Sequence, residues 1–283
     1  MTKPVTVFAA VQMSSQGDVD ANLASAARLA AQATEQGANV VLLPENFAYM
    51  GPDEGKSRIA EPVGGEGPGA IDGPQEDSPI LRALARAARA NRVHIIAGGM
   101  PERSSDPQRP YNTCAVIAPD GSLVAKYRKM HLFDVDVGDG QLYRESAHTT
   151  AGTGPACCEI AGFRVGLSVC YDLRFPELYR ALSDAGADVL VVPAAFTLAT
   201  GKDHWHVLLR ARAIESQAYV VAAAQWGTHP RGRRTYGKSS IVDPWGDVVA
   251  GCSEGEGVVS AAIERSYIEQ VRNRLPSLRH RRL

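Results

Sequence analysis

Three stretches carry side chains able to do covalent chemistry on a carbonyl group. Gly166-Leu-Ser-Val-Cys-Tyr-Asp-Leu-Arg-Phe-Pro-Glu177 holds a thiol, Leu42-Leu-Pro-Glu45 a carboxylate, and Lys126-Tyr-Arg-Lys129 a run of cations. Arg164 to Val169 is apolar and β-branched enough for a buried strand. Pro176 suits the first turn of a helix, and Glu177 and Leu178 lead into an Ala/Leu-rich run. Cys170 therefore falls where a strand ends and the turn into a helix begins. There a thiol leaves a rigid sheet and feels helix N–H dipoles, which favour the thiolate. Such a cysteine is either a buried structural residue or a nucleophile. The second role needs a base and a cationic or N–H partner from elsewhere in the chain.

Glu45 follows an apolar run and Pro44. Desolvation there is expected to raise its pKa and make it a proton acceptor near neutral pH; the alternative is an ordinary strand-end carboxylate. The run Lys126 to Lys129 is either a solvated face or turns one ammonium inward. An inward ammonium stabilises an oxyanion and lowers a neighbouring thiol's pKa. His131 and His204 leave a Cys–His dyad open, without a local signature. His204-Trp-His206 is weak as a metal pair, because residues two apart on a helix do not share a face. Arg174 reads as a partner for a substrate carboxylate or for Glu177. Phe196 and Thr197 read as site-edge residues or as filler.

These residues need elements to bring them together. Thr6 to Gln12 reads as a strand, Asn22 to Gln36 as a helix ended by Gly37, and Asn39 to Leu43 as a strand buried on both faces. Residues 46 to 77 read as a long surface loop, and Ser78-Pro79 as the cap of a helix reaching about Ala90. Val93 to Ala97 is a strand, and Tyr111 to Ile117 with Leu123 to Tyr127 a hairpin. The pattern then recurs. Gly37-Ala-Asn-Val-Val-Leu-Leu-Pro44 has a twin in Gly186-Ala-Asp-Val-Leu-Val-Val-Pro193. Tyr111 to Ala125 has one in Tyr236 to Ala250, and His94 to Gly98 in Tyr219 to Ala223. Two similar halves follow. Each offers a sheet with helices on one side, and the bare faces must cover each other. The expected fold is an α/β four-layer αββα sandwich, a single domain over 4–265. An arm at 266–283 follows, with a short helix from Tyr267 to Leu275 and a basic tail at Arg279-His-Arg-Arg282. That tail is either solvated or packs on a second subunit.

Composition narrows the function classes. The chain has 283 residues, is 45% hydrophobic and 22% charged, and carries a net charge of −1, so bulk electrostatics point to neither nucleic acid nor membrane. Its 5 cysteines show no regular spacing, which argues against a disulfide framework or a zinc cluster. The N-terminal residues do not read as a signal peptide and no apolar run spans a bilayer; a soluble protein of a reducing cytoplasm is expected.

Leu42 to Glu45, Tyr127 to Asp134 and Gly166 to Glu177, in that order, resemble the nitrilase superfamily of carbon–nitrogen hydrolases. The resemblance runs from about Val5 to Ile263. It implies the αββα sandwich and a Glu-Lys-Cys triad, with Glu45 as general base, Lys129 as stabilising cation and Cys170 as nucleophile. Glu145 is similar to the family's second glutamate, which orients the lysine. It further implies a thioester intermediate, the backbone N–H of Tyr171 at the oxyanion, no cofactor or metal, and a homodimer or larger homo-oligomer. Phe133 to Asp136, His204 to Glu215, Ala222 to Gln225 and Tyr236 to Trp245 are similar to the amidase branch acting on short ω-amides of acidic substrates, deaminated glutathione and 2-oxoglutaramate among them. The expected products are an acid and ammonia. His206 departs from that branch, which usually has Glu there; the departure bears on substrate choice and not on the triad. A catalytically silent or redox-sensing binding protein on the same fold, and a Cys–His peptidase, are the readings of other classes.

Overall fold

The computed structural model describes residues 5–64 and 77–282. Alternating side chains explain why its strands are buried on both faces. In β1 (Thr6–Gln12), Phe8 and Ala10 point into one apolar cluster while Ala9 and Val11 point into another. β1 runs parallel to β2 (Val40–Leu43), and β2 parallel to β3 (His94–Glu102). The connections are α1 (Val19–Glu35) and α2 (Pro79–Asn91). The hairpin β4 (Tyr111–Ile117) and β5 (Leu123–Arg128) continues that sheet antiparallel. After a ribbon of β6 (Asp134–Asp136) and β7 (Leu142–Arg144), the plan repeats. β8 (Ala156–Ile160) pairs antiparallel with β9 (Phe163–Leu167). Then come α3 (Pro176–Asp184), β10 (Val189–Ala194), α4 (Leu198–Ser216) and β11 (Tyr219–Ala224), with β9, β10 and β11 parallel. A second ribbon, β12 (Trp226–Thr228) and β13 (Arg234–Tyr236), precedes the hairpin β14 (Ser240–Val242) and β15 (Val248–Gly251). β16 (Gly257–Ile263) returns to pair with β1, and α5 (Arg265–Arg274) and α6 (Ser277–His280) follow.

The two 6-stranded sheets have the same order, β16-β1-β2-β3-β4-β5 and β8-β9-β10-β11-β14-β15. The repeat seen in the sequence is thus a repeat of topology. β16 fills beside β1 the antiparallel place that β8 fills beside β9. The sheets meet face to face, with Phe8 edge-on to Phe163 at 6.3 Å between ring centres. Leu29, Ala33, Leu84 and Ala88 of α1 and α2 cover the outer face of the first sheet. Leu178 and Leu182 of α3 and Leu209 of α4 cover that of the second. The fold is the α/β sandwich of four layers, αββα.

Three local expectations change. α1 begins at Val19, because Asp18 accepts the N–H of Ala21 and caps it. Ser78 does not cap α2 with its side chain. The carboxylate of Glu61 accepts the N–H groups of Ile80 and Leu81 at 2.5 and 3.1 Å. The stretch after Glu45 is not all surface loop: Phe47, Ala48 and Met50 are buried, and Asp53–Ile59 forms a 3₁₀ turn. Residues 65–76 of that expected loop lie outside the described residues. At the other end α5 is docked on its own chain. Ile268 and Val271 are buried, and Arg272 reaches Asp188 at 3.1 Å. In the basic tail, Arg281 pairs with Asp184. Among the described residues no helix is long and apolar enough to cross a membrane.

Candidate active site

Strand ends from both halves deliver the reactive groups to one edge of the sandwich. Glu45 follows β2, Lys129 follows β5, Cys170 lies beyond β9, and Ala195 follows β10. Glu45 Oε1 accepts from Lys129 Nζ at 3.0 Å and from Asn112 Nδ2 at 2.9 Å. Its Oε2 accepts the Ala195 N–H at 2.9 Å, and the Cys170 thiol is a close neighbour of the carboxylate. Lys129 Nζ donates to both oxygens of Glu145, at 3.0 and 2.8 Å. The Phe133 N–H holds Glu145 at 2.7 Å. Asn112 bridges the two carboxylates, donating to Glu145 as well, at 3.3 Å. Behind them Gln225 donates to the Glu45 carbonyl and to Ser15 Oγ, at 3.1 and 2.9 Å. β3 passes close beneath: a Cβ on Gly99 would lie 2.9 Å from Glu45 Cγ and 2.7 Å from Asn112 Oδ1, and Gly99 has φ +82°. Only glycine accepts that backbone without strain.

Cys170 opens the 3₁₀ turn Cys170–Arg174 rather than α3 itself. Its φ of +50° is in the left-handed region, costing on the order of 1–3 kcal/mol for a residue with a Cβ. The fully buried Asp172 holds it there. Its Oδ2 accepts the Val169 N–H and the Tyr127 hydroxyl, both at 2.8 Å. Its Oδ1 accepts the His131 N–H at 3.1 Å and faces His131 Nδ1 at 2.6 Å.

The charges differ from the sequence-based expectation. Burial pushes the Glu45 carboxyl up, but the Lys129 ammonium, the neighbouring Cys170 thiol and Arg233 outweigh it and hold it down to about 2. Burial and the Glu45 charge push the Cys170 thiol well up, and Lys129 offsets only part of this. Burial pushes the Lys129 ammonium down, yet Glu145 and Glu45 raise it above the usual lysine value. The resting arrangement is therefore a neutral thiol beside an ion-paired carboxylate, not the thiolate expected from helix dipoles. Glu45 is not raised toward neutrality because Lys129 was placed against it.

These groups line a cleft with about 500 Å³ of empty space. Glu45, Lys129, Cys170, Glu145, Tyr171, Phe196 and Thr197 all border it. Thr197 also caps α4. Arg174 is not in the cleft wall. Its guanidinium lies over Phe196, 5.0 Å from the ring centre, with Nη1 3.3 Å from His204 Nδ1, and no ion pair to Glu177 forms among the described residues. Among the described residues no histidine borders the cleft. His131 is held by Asp172 and stacks on Phe175 at 3.7 Å. His206 packs against Tyr236 at 5.9 Å, so the departure at this position lies outside the cleft wall. Among the described residues no group of three or more potential metal ligands occurs. Sequence reasoning missed Asn112, Asp172, Asp53, Lys56, Tyr143 and Arg233; the last four border the cleft. Asp53 and Lys56 pair at 2.8 Å.

The family described as carbon-nitrogen hydrolase matches residues 8–273. A deaminated glutathione amidase of Synechocystis sp. is 45% identical over 276 residues, 96% of this chain and 97% of that one. The Homo sapiens deaminated glutathione amidase is 40% identical over 98% of this chain and 82% of its own. An omega-amidase of Xenopus tropicalis is 36% identical over 92% of this chain and 89% of its own. Among solved structures the C. elegans NitFhit protein superposes with a TM-score of 0.88 at 37% identity, covering 100% of this chain and 66% of that longer one.

Proposed function

Since the chain belongs to the carbon-nitrogen hydrolase family and is a hydrolase of non-peptide carbon–nitrogen bonds, we propose that it cleaves a small carboxylate-bearing amide through a Cys170 thioester, with deaminated glutathione as the substrate. The carrying observation is the convergence of Glu45, Lys129 and Cys170 at one cleft. The substrate comes from the relatives' names, 45% identical at nearly full length.

The chemistry follows from a neutral thiol beside a carboxylate. With the Glu45 carboxyl held down and the thiol pushed up, proton transfer ahead of attack is uphill. The proton moves to Glu45 as the sulfur–carbon bond forms, when the amide carbon draws off the developing sulfur charge. The carbonyl oxygen becomes an oxyanion held by the Lys129 ammonium and the backbone N–H of Tyr171. A donor of this kind contributes about 3 kcal/mol. Glu45 then protonates the departing nitrogen, the carbon–nitrogen bond breaks, and the thioester remains. Glu45 takes a proton from water as that water attacks, and the carbon–sulfur bond breaks, with the proton returning to sulfur. Glu145 and Asn112 keep the lysine and the base aligned.

One expectation is corrected by the substrate's own chemistry. Deaminated glutathione has lost its amino group and contains no primary amide. Its leaving group is an amine, cysteinylglycine, rather than ammonia. The omega-amidase reading, supported by the Xenopus relative, does release ammonia, from 2-oxoglutaramate. Purified protein offered both substrates should show the larger kcat/KM for deaminated glutathione, read as cysteinylglycine formed. A larger value for 2-oxoglutaramate would replace this reading with the second.

A further inference from the structure

Resting on the amidase reading, we propose that Arg233 is the residue that recognises the substrate's carboxylate and so selects acidic amides over neutral ones. The cleft is bordered by four cations, Lys56, Lys129, Arg144 and Arg233, against the three carboxylates Glu45, Asp53 and Glu145. Lys129 is shared by Glu45 and Glu145, and Lys56 is paired with Asp53. Arg144 sits exposed at the mouth, where water screens it. Arg233 is left as the inner cation with no ion pair among the described residues.

One of its donors is also unmatched. Nη2 donates to the Ala195 carbonyl at 3.2 Å, whereas Nε is buried with no partner. A buried donor without an acceptor is costly, and a planar fork of N–H groups is the natural complement of a carboxylate. The same residue, Ala195, gives its N–H to Glu45, so the guanidinium is anchored one residue's breadth from the reacting groups.

The guanidinium is also held in place before any ligand arrives. The Arg233 carbonyl accepts the His229 N–H at 2.8 Å. The buried His229 ring is fixed between the Ser15 carbonyl at 2.8 Å and Thr235 Oγ1 at 2.7 Å. The guanidinium lies over Tyr143, 5.6 Å from the ring centre. Little freedom is lost when such a group binds an anion, and the affinity gains accordingly. Arg174, the other guanidinium near the nucleophile in sequence, is turned to His204 and Phe196 and is unavailable.

The test uses glutaramate and pentanamide, which differ in the carboxylate and both release ammonia. The wild-type enzyme should prefer glutaramate by roughly 10- to 100-fold in kcat/KM, the range of a charge-assisted pair. Arg233→Gln should lose most of that ratio, chiefly through KM for glutaramate, and Arg233→Lys should keep part of it. A wild-type ratio in Arg233→Gln overturns the proposal while leaving the amidase reading intact. A readout free of turnover is calorimetric binding of glutarate to Cys170→Ala, with and without Arg233→Gln. Binding about 10-fold or more weaker in the double variant is expected even if neither amide is hydrolysed. Equal affinity, or no glutarate binding to either protein, overturns the assignment.

Discussion

Asp172→Asn separates support of the nucleophile from the reaction itself. The carboxylate faces four groups: the N–H of Val169, the hydroxyl of Tyr127, and the N–H and Nδ1 of His131. Asparagine keeps the shape but turns one oxygen into an NH₂. The Tyr127 hydroxyl can rotate to accept, and His131 Nδ1 can accept as the other tautomer. The backbone N–H groups have no such choice, so whichever way the amide is turned, one of them loses its acceptor. A buried donor left unsatisfied costs about 1–3 kcal/mol, and the surviving bonds weaken because the acceptor is no longer charged. The expected loss is about 3 kcal/mol in urea unfolding. Tyr127→Phe, which keeps the carboxylate, should cost about 1 kcal/mol. Cys170 follows Val169 directly and is held at φ +50°, so loosening that N–H lets the thiol drift from Glu45. A displacement near 1 Å costs about 10²-fold in rate, to be read as kcat well below the unfolding midpoint. If Asp172→Asn matches Tyr127→Phe in stability and retains wild-type kcat, the clamp is not what holds the nucleophile.

Glu45→Gln should lower kcat/KM by roughly 10²- to 10⁴-fold, the range of a positioned base. The carboxyl lies at about 2 against the usual 4.5, so the folded state binds its proton more weakly than the unfolded one. Its stabilisation is present above pH 4.5 and lost as pH falls toward 2. In urea unfolding at several pH values that acid limb should shrink in Glu45→Gln. Cys170 should show no thiolate absorbance at 240 nm at pH 7 against Cys170→Ser, because burial and Glu45 hold the thiol neutral; a full thiolate signal would contradict the neutral resting pair. Gly99→Ala should fold less stably and turn over more slowly, since its Cβ would press on Glu45 and Asn112; wild-type activity in this variant would mean that the floor beneath the base has room.

What the sequence disclosed was whatever depends on local pattern. Apolar runs and two short twins were enough for the αββα layering, because strands buried on both faces and a repeated half leave few ways to cover the sheets. Glu45 and Cys170 were legible as strand-end residues, since a strand end is a local property. Their protonation states were not. The pKa of Glu45 is decided by Lys129, 84 positions away in sequence, and no window of sequence contains both. Asp172 has no signature apart from sitting beside the cysteine, and its partners distant in sequence, Tyr127 and His131, come from β5 and the stretch after it. Arg233 lies in Arg231-Gly-Arg-Arg234, a basic run of the kind that normally faces water; only the fold of β12 and β13 against Ala195 turns it inward. Arg174 drew attention by nearness in sequence, and the turn after Cys170 carries it away from the cleft.

The strand pairing has a consequence for how the molecule comes into being on the ribosome. The second sheet is written contiguously, from β8 through β15. The first lacks its edge until β16 has been synthesised, some 250 residues after β1. Throughout most of translation β1 presents an unpaired backbone edge, the kind that invites aggregation. Thr6 and Ile263 end as neighbours in the finished sheet, so in a circular permutant in which β16 leads into β1 each sheet would be completed within one run of chain, and the shorter exposure of that edge should lessen the need for chaperones.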